Sequence, residues 1–290
     1  MNAVNQQFGS LWTARTVIWI MGTVLLLVSC GQSTLQAPPA HKSPVAELLN
    51  TGQLPHRRPS ATPAPITPFP TTYEDELATL QAHGRFFYGG NPTIPEVALT
   101  FDDGPNPPFT TQVLAVLKHY GIHATFFCLG NEVAAYPDLV RQEVADGHVI
   151  GNHSWSHPLL TTLSAEQIRT ELTTTGDIIQ QVTGKRPIFF RPPYGSVNAQ
   201  VLTQANQLGL TTFIWSDGSL DWTPIGPAAI VHQVLSTVAN GAIILMHDGG
   251  GNRSRTLAAL PGVIEGLEAR HFRFVTLGQL VADTQGQLSQ

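Results

Sequence analysis

The chain is poor in charge and nearly free of cysteine. Asp, Glu, Lys and Arg make up only 12% of its 290 residues, the net charge is −5, and Lys and Arg never cluster. A chain without a basic patch lacks the electrostatic footprint of a polyanion binder, so no nucleic acid is expected among its partners. The only cysteines are Cys30 and Cys128. Cys128 lies in the apolar run Thr125–Leu129 and reads as a small buried hydrophobe rather than half of a disulfide. Long apolar runs are also missing: the best, Val17–Val28, falls short of the roughly 20 residues a membrane-spanning helix needs. No internal repeat is visible, and nothing in the sequence reports on oligomeric state.

What that short apolar run does supply is a signal. It follows Arg15 and leads into small residues, the pattern of a secretory leader over residues 1–29. Leu27-Val28-Ser29-Cys30-Gly31 resembles the lipobox of bacterial lipoproteins. That resemblance implies a diacylglyceryl group on Cys30, a membrane partner through the lipid anchor, and an extracytoplasmic address at the cell membrane. A plain leader with an incidental cysteine, giving a secreted protein, is the alternative. Residues 30–72 then form a linker: nine prolines among Ser, Thr, Gln and Ala leave no hydrophobic periodicity from which to build a core. Residues 73–290 hold the globular domain, with 11 basic and 19 acidic residues, a net of −8.

In that domain short β-type runs alternate with segments of helical spacing. Strands are expected at Glu96–Phe101, Ala124–Cys128, Val149–Asn152, Ile188–Arg191, Thr211–Trp215, Ala242–Met246 and Phe272–Thr276. Helices are expected at Thr110–Tyr120, through Val133 to Val144, and at Ser164–Val182, Asn198–Leu208, Pro227–Ala239 and Thr256–Ala269. Ser164-Ala165-Glu166-Gln167 is a capping box. The alternation predicts a parallel α/β fold, as an open sheet or a barrel. Reactive side chains decide between them. Asp102 and Asp103 follow the first strand, His153 and His157 the third, Arg191 the fourth, Asp217 and Asp221 the fifth, and His247 the sixth. In a parallel barrel those strand ends converge on one face, whereas an open sheet spreads them along a crevice. The expectation is an irregular parallel (β/α) barrel of about seven strands.

Two adjacent ionised carboxylates repel unless a cation or a proton separates their roles. One Asp with two His suits a divalent metal, and the second Asp is then left to act as a base. Each piece alone has an ordinary explanation. Asp-Asp-Gly-Pro is a common turn, and two histidines four apart are often a polar helix face. Their coincidence points to a metal-dependent hydrolase.

Five stretches extend this. Thr100–Gly104 (TFDDG), His153–His157 (HSWSH), Arg191–Gly195 (RPPYG), Trp215–Trp222 (WSDGSLDW) and Leu245–His247 (LMH) follow one another in the chain. In that order they resemble the motifs of the polysaccharide deacetylases, the NodB-homology or carbohydrate esterase family four group, over roughly Phe86 to Leu280. The resemblance implies an irregular (β/α) barrel that removes acetyl groups from sugars. It implies Asp102 as general base and Asp103, His153 and His157 as metal ligands, most simply for Zn2+, with Co2+, Ni2+ or Mn2+ as alternatives. Arg191 would be held against Asp102, the Tyr194 N–H would donate to the oxyanion, and His247 would protonate the leaving group with Asp221 as its partner. Trp222, Tyr194 and Trp155 would wall the sugar groove; Trp215, at a strand end, reads rather as packing. The family's fourth motif has W-x-x-D-x-x-D-W, whereas Gly218 stands at the first Asp here and Asp217 comes one residue early. A local hydrogen bond or a substrate preference is thereby open. The glycine-rich loop Asp248–Ser254 lacks the strand and Lys of a phosphate-binding loop and reads as a flexible rim.

The expected substrate is an N-acetylated cell-surface glycan, peptidoglycan or another N-acetylglucosamine polymer, with acetate as product. The same machinery would serve an O-acetyl esterase acting on a xylan-like polymer. A surface module that binds carbohydrate without catalysis is the third reading, although it has no use for six catalytic-type residues.

Overall fold

The computed structural model describes residues 85–288. The leader, Cys30 and the proline-rich linker lie outside the described residues, as do residues 73–84. Among the described residues no helix is long and apolar enough to cross a membrane.

Nine strands form one parallel sheet: β1 (Phe86–Phe87), β2 (Glu96–Asp102), β3 (Thr125–Cys128), β4 (Val149–Asn152), β5 (Phe189–Phe190), β6 (Thr211–Phe213), β7 (Asp217–Gly218), β8 (Ala242–His247) and β9 (Arg273–Phe274). Their order is β1-β6-β5-β4-β3-β2-β8-β7, with β9 added beside the start of β2. Curled on itself, this sheet is the expected irregular barrel, two strands richer than the seven read from the sequence. The extra strands, β1 and β7, have two residues each, too short to show any period.

The helices are α1 (Phe109–Tyr120), α2 (Gly130–Ala135), α3 (Pro137–Ala145), α4 (Ala165–Thr183), α5 (Ala199–Gln207), α6 (Pro227–Thr237), α7 (Ser254–Glu268) and α8 (Leu277–Leu288). The single helix expected through Val133 and Val144 is two, because Pro137 has no N–H to continue α2 and instead opens α3. The Ser164 capping box starts α4 as its sequence predicts, with both reciprocal hydrogen bonds formed.

Both faces of the central strands are buried, which is why β2 and β8 read as near-continuous apolar runs. Val97, Leu99 and Phe101 of β2, with Ile244 and Met246 of β8, face outward into a core shared with α1, α6 and α7. Ala98 and Ile243 point the other way, into an inner cluster with Phe127, Phe213, Leu277 and Leu280. The outer layer supplies bulk apolar burial; the inner layer gives way to polar side chains at the strands' C-terminal ends. Strand register fixes that level. Asp102 pairs with His247 on one side and Phe127 on the other, Cys128 with Asn152, and Asn152 with Phe190. The residues that follow these positions therefore leave the sheet together.

Candidate active site

Asp103, His153 and His157 each offer one ligand atom, all within 4.8 Å of one another. Asp103 Oδ1 lies 3.5 Å from His153 Nε2 and 3.4 Å from His157 Nε2. The loop reaches this arrangement by unusual backbone, with Asp103, Ser154 and His157 at φ of 72°, 69° and 59°. Short polar side chains hold those turns: Asn152 Oδ1 accepts from the Ser154 N–H, and Ser154 Oγ from the His157 N–H. His153 and His157 therefore sit on a loop and not on a polar helix face. Their four-residue spacing comes from the turn.

The donor set fits a divalent cation. Asp103 Oδ1 is buried without a hydrogen-bond partner, a costly state unless something else satisfies it. His153 Nδ1 lies 2.8 Å from the Arg191 carbonyl, so its N–H donates there and the Nε2 lone pair faces Asp103. Burial pushes the Asp103 carboxyl up, but His153 and His157 outweigh it and hold the group well below the usual carboxylate range. Burial also pulls His153 down, against Asp102 and Asp103, which together raise it. A site that favours a proton between these groups favours a cation in the same place. Burial and the neighbouring His153 lower His157, which favours the neutral imidazole that a ligand requires.

Asp102 points into the same cavity but is held differently. Its Oδ1 accepts from Arg191 Nη1 at 2.7 Å, while Oδ2 is 3.6 Å from His153 Nε2. Arg191 is fully buried, also donates to Thr100 Oγ1 at 2.8 Å, and lies over the Phe127 ring. Across the site, Asp221 Oδ1 sits 2.8 Å from His247 Nδ1, while its Oδ2 accepts from both the His247 backbone N–H and Thr256 Oγ1. Burial raises the Asp221 carboxyl, yet those donors outweigh it and keep it low. His247 thus has one ring nitrogen fixed on a carboxylate and the other left for the cavity.

These groups line a cavity of about 310 Å3, bounded also by Tyr194, Trp215, Trp222, Leu245 and Arg253. That is within the range of about 300–1,000 Å3 typical of small-molecule sites. Tyr194 and Trp222 are its exposed aromatics. Trp155 is not on this wall. Its ring covers Gly130 at the start of α2, and its backbone N–H donates to Glu171, so it packs behind the loop. Trp215 does both: as expected it packs, here against the inner cluster and Gly195, and it also lines the cavity. Gly218 sits beneath Trp215 and Trp222, where a Cβ would meet the Trp222 ring at 3.3 Å. Asp217, one residue early, turns away from the cavity and accepts from Thr237 Oγ1 at 2.7 Å.

Sequence reasoning missed Arg253, whose guanidinium donates to the Gly249 and Gly250 carbonyls and lies 3.8 Å from Asp103 Oδ2. The only signal was its position after the glycine run. The first glycine of that run is closely packed: a Cβ on Gly249 would lie 2.0 Å from the Asp103 carbonyl oxygen, so glycine is what permits this contact. Behind the site, Asp248 accepts from Thr110, and Glu143 is buried beside Cys128, a fully buried free thiol as expected.

The model of one family, polysaccharide deacetylase, matches residues 89–213. A peptidoglycan-N-acetylglucosamine deacetylase of Bacillus cereus is 38% identical over 187 residues, covering 64% of this chain and 87% of that protein. The peptidoglycan-N-acetylmuramic acid deacetylase PdaC of Bacillus subtilis is 40% identical over 191 residues, which is 66% of this chain and 39% of PdaC. Among solved structures, a peptidoglycan N-acetylglucosamine deacetylase in complex with 4-naphthalen-1-yl-N-oxidanyl-benzamide superposes with a TM-score of 0.67 at 34% identity. That match covers 70% of this chain and 95% of the solved one.

Proposed function

Because the chain belongs to the polysaccharide deacetylase family, we propose that it hydrolyses the acetamide of an N-acetylated cell-surface glycan, releasing acetate. Peptidoglycan or another N-acetylglucosamine polymer is the substrate this reading favours, in line with the names of its relatives. The observation that carries it is one cavity holding three metal-type ligands, a carboxylate on a buried arginine, and a histidine on a buried carboxylate.

A divalent metal held by Asp103, His153 and His157, with zinc the simplest occupant, would polarise the acetamide carbonyl and acidify the attacking water. Asp102, oriented by Arg191, takes the proton from that water. The Tyr194 N–H, on a residue at φ 61°, donates to the oxyanion that develops from the carbonyl. His247, its Nδ1 anchored by Asp221, gives a proton to the departing nitrogen and so makes it an amine. Tyr194, Trp215 and Trp222 bind the apolar faces of the sugar rings. The lipobox-like stretch at Cys30 supports a membrane-tethered, extracytoplasmic enzyme, the compartment in which such glycans occur.

The test is acetate release by the purified full chain with zinc supplied, offered peptidoglycan, N-acetylglucosamine oligomers and acetylated xylan in parallel. Release from the amino-sugar substrates is expected. Release from xylan alone would instead make it an O-acetyl esterase. Silence on all three by a protein that retains no metal would favour a carbohydrate-binding module; silence with metal bound would point to another acetylated substrate.

A further inference from the structure

The catalytic cavity has a neighbour on the far side of Trp222. A second cavity of about 430 Å3 lies between Asp221–Pro224 and residues 252–255, at the start of α7. Its size is again within the range of about 300–1,000 Å3 of small-ligand sites. Trp222 and Arg253 belong to the walls of both cavities, so a glycan seated in the first can continue past the indole into the second.

The charges on its wall are unequal in availability. Asp221 is buried and already accepts from His247 and Thr256. Arg253 is buried and committed to the Gly249 and Gly250 carbonyls. Arg255 is exposed and has no hydrogen-bond or ion-pair partner among the described residues. The other surface arginines have partners: Arg141, Arg186 and Arg273 pair with Asp138, Asp177 and Glu96, and Arg85, Arg169 and Arg270 donate to the oxygens of Gly209, Gln207 and Leu235. Arg255 is also the second residue of α7, where unpaired amide N–H groups add positive potential. Residues 85–288 carry 11 basic against 16 acidic side chains, so the surface as a whole repels anions and an unpaired cation beside the active site is a local exception.

We infer that this second cavity is a subsite for a carboxylate carried next to the acetamide under attack, with Arg255 as the group that recognises it. The inference rests on the deacetylase reading and deepens it, selecting acidic glycans over neutral ones. Two sources offer that chemistry in a cell-wall glycan: the lactyl ether of N-acetylmuramic acid, and the carboxylates of an attached peptide. A guanidinium meets either in a charge-assisted, bidentate geometry.

Steady-state kinetics on the full chain test it with four glycans of equal length. They are a neutral N-acetylglucosamine tetramer, an alternating N-acetylglucosamine/N-acetylmuramic acid tetramer with free lactyl carboxylates, its carboxamide counterpart, and the peptide-bearing form. The wild type is expected to show a KM about tenfold lower for a carboxylate-bearing glycan than for the carboxamide, with kcat unchanged. Arg255→Gln should erase that difference, Arg255→Lys should keep part of it, and neither should alter turnover of the neutral tetramer. A preference confined to the free lactyl form or to the peptide-bearing form identifies which carboxylate is read. Equal KM values across carboxylate and carboxamide overturn the subsite while leaving deacetylation standing. An Arg255→Gln effect of the same size on every glycan also overturns it. Acetate from none of the four refutes the deacetylase reading itself.

Discussion

On the proposed mechanism His247 and Asp103 carry separable tasks, and single substitutions separate them. His247 touches no metal ligand in the hydrogen-bond network and is anchored through Nδ1 on Asp221. His247→Ala is therefore expected to retain stoichiometric metal while kcat falls roughly a hundredfold or more; loss of metal from this variant, measured by elemental analysis, would contradict the division. A second residue prediction concerns stability. Burial pushes the Asp217 carboxyl up to about 6, against the lowering effect of the Thr237 hydroxyl. Between pH 4 and 6 the folded protein then keeps a proton that the unfolded chain has released, so this residue's contribution is full below about pH 4 and lost as pH rises through about 6. Asp217→Asn cannot ionise and is expected to be more stable than wild type by about 1 kcal/mol at pH 8, with the gap closing toward pH 4. Urea titrations at both pH values decide it; a gap independent of pH would show that ionisation is not the cause. The contiguous motifs made most site residues legible, since Asp102-Asp103 and His153-x-x-x-His157 announce their chemistry within a few positions. Trp155 did not follow, and Trp215, which packs as expected, lines the cavity besides. Which wall an indole faces depends on what lies across from it, here Gly130 and Gly195, and neither is near in sequence.

Loops and short elements position these side chains. Gly249 brings the loop after β8 against the Asp103 backbone, with its N–H on the Asp102 carbonyl. Gly249→Ala is expected to displace Asp103 and weaken metal binding at least tenfold, by an amount a methyl group forced into such a contact makes plausible. Unchanged zinc affinity in a chelator competition would show that the loop yields freely. At the opposite end of the strands, α8 sends Leu280, 1% exposed, into the inner cluster beside Ala98 and Phe127. Leu280→Ala should cost about 2–5 kcal/mol in denaturant unfolding without a specific change in kcat. The longer helices were readable from their spacing and caps, as α4 is from Ser164. α8, β1 and β7 were not. Two-residue strands exist only because a neighbour supplies their ladder, and the α8 pattern was weakened by Asp283, Thr284, Gln285 and Gly286.

At the scale of the molecule, the architecture explains why scattered residues make one site. All described strand pairs are parallel, so their C-terminal ends lie together, and the strand register sets Asp102 and His247 at one level. Hydrophobic alternation and the order of the motifs carried that much to the reader of the sequence. The edge strands β1 and β7, and the cavity beyond Trp222, arise only when distant segments meet. The central claim is that one cation held by Asp103, His153 and His157 serves hydrolysis of an N-acetyl group. It is tested most directly by acetate release from an N-acetylglucosamine tetramer, comparing the full-length wild type with Asp103→Ala before and after chelation and zinc return. The account predicts release by the wild type that chelation abolishes and zinc restores, and none from Asp103→Ala. Undiminished release from Asp103→Ala, or from the chelated wild type, would contradict it.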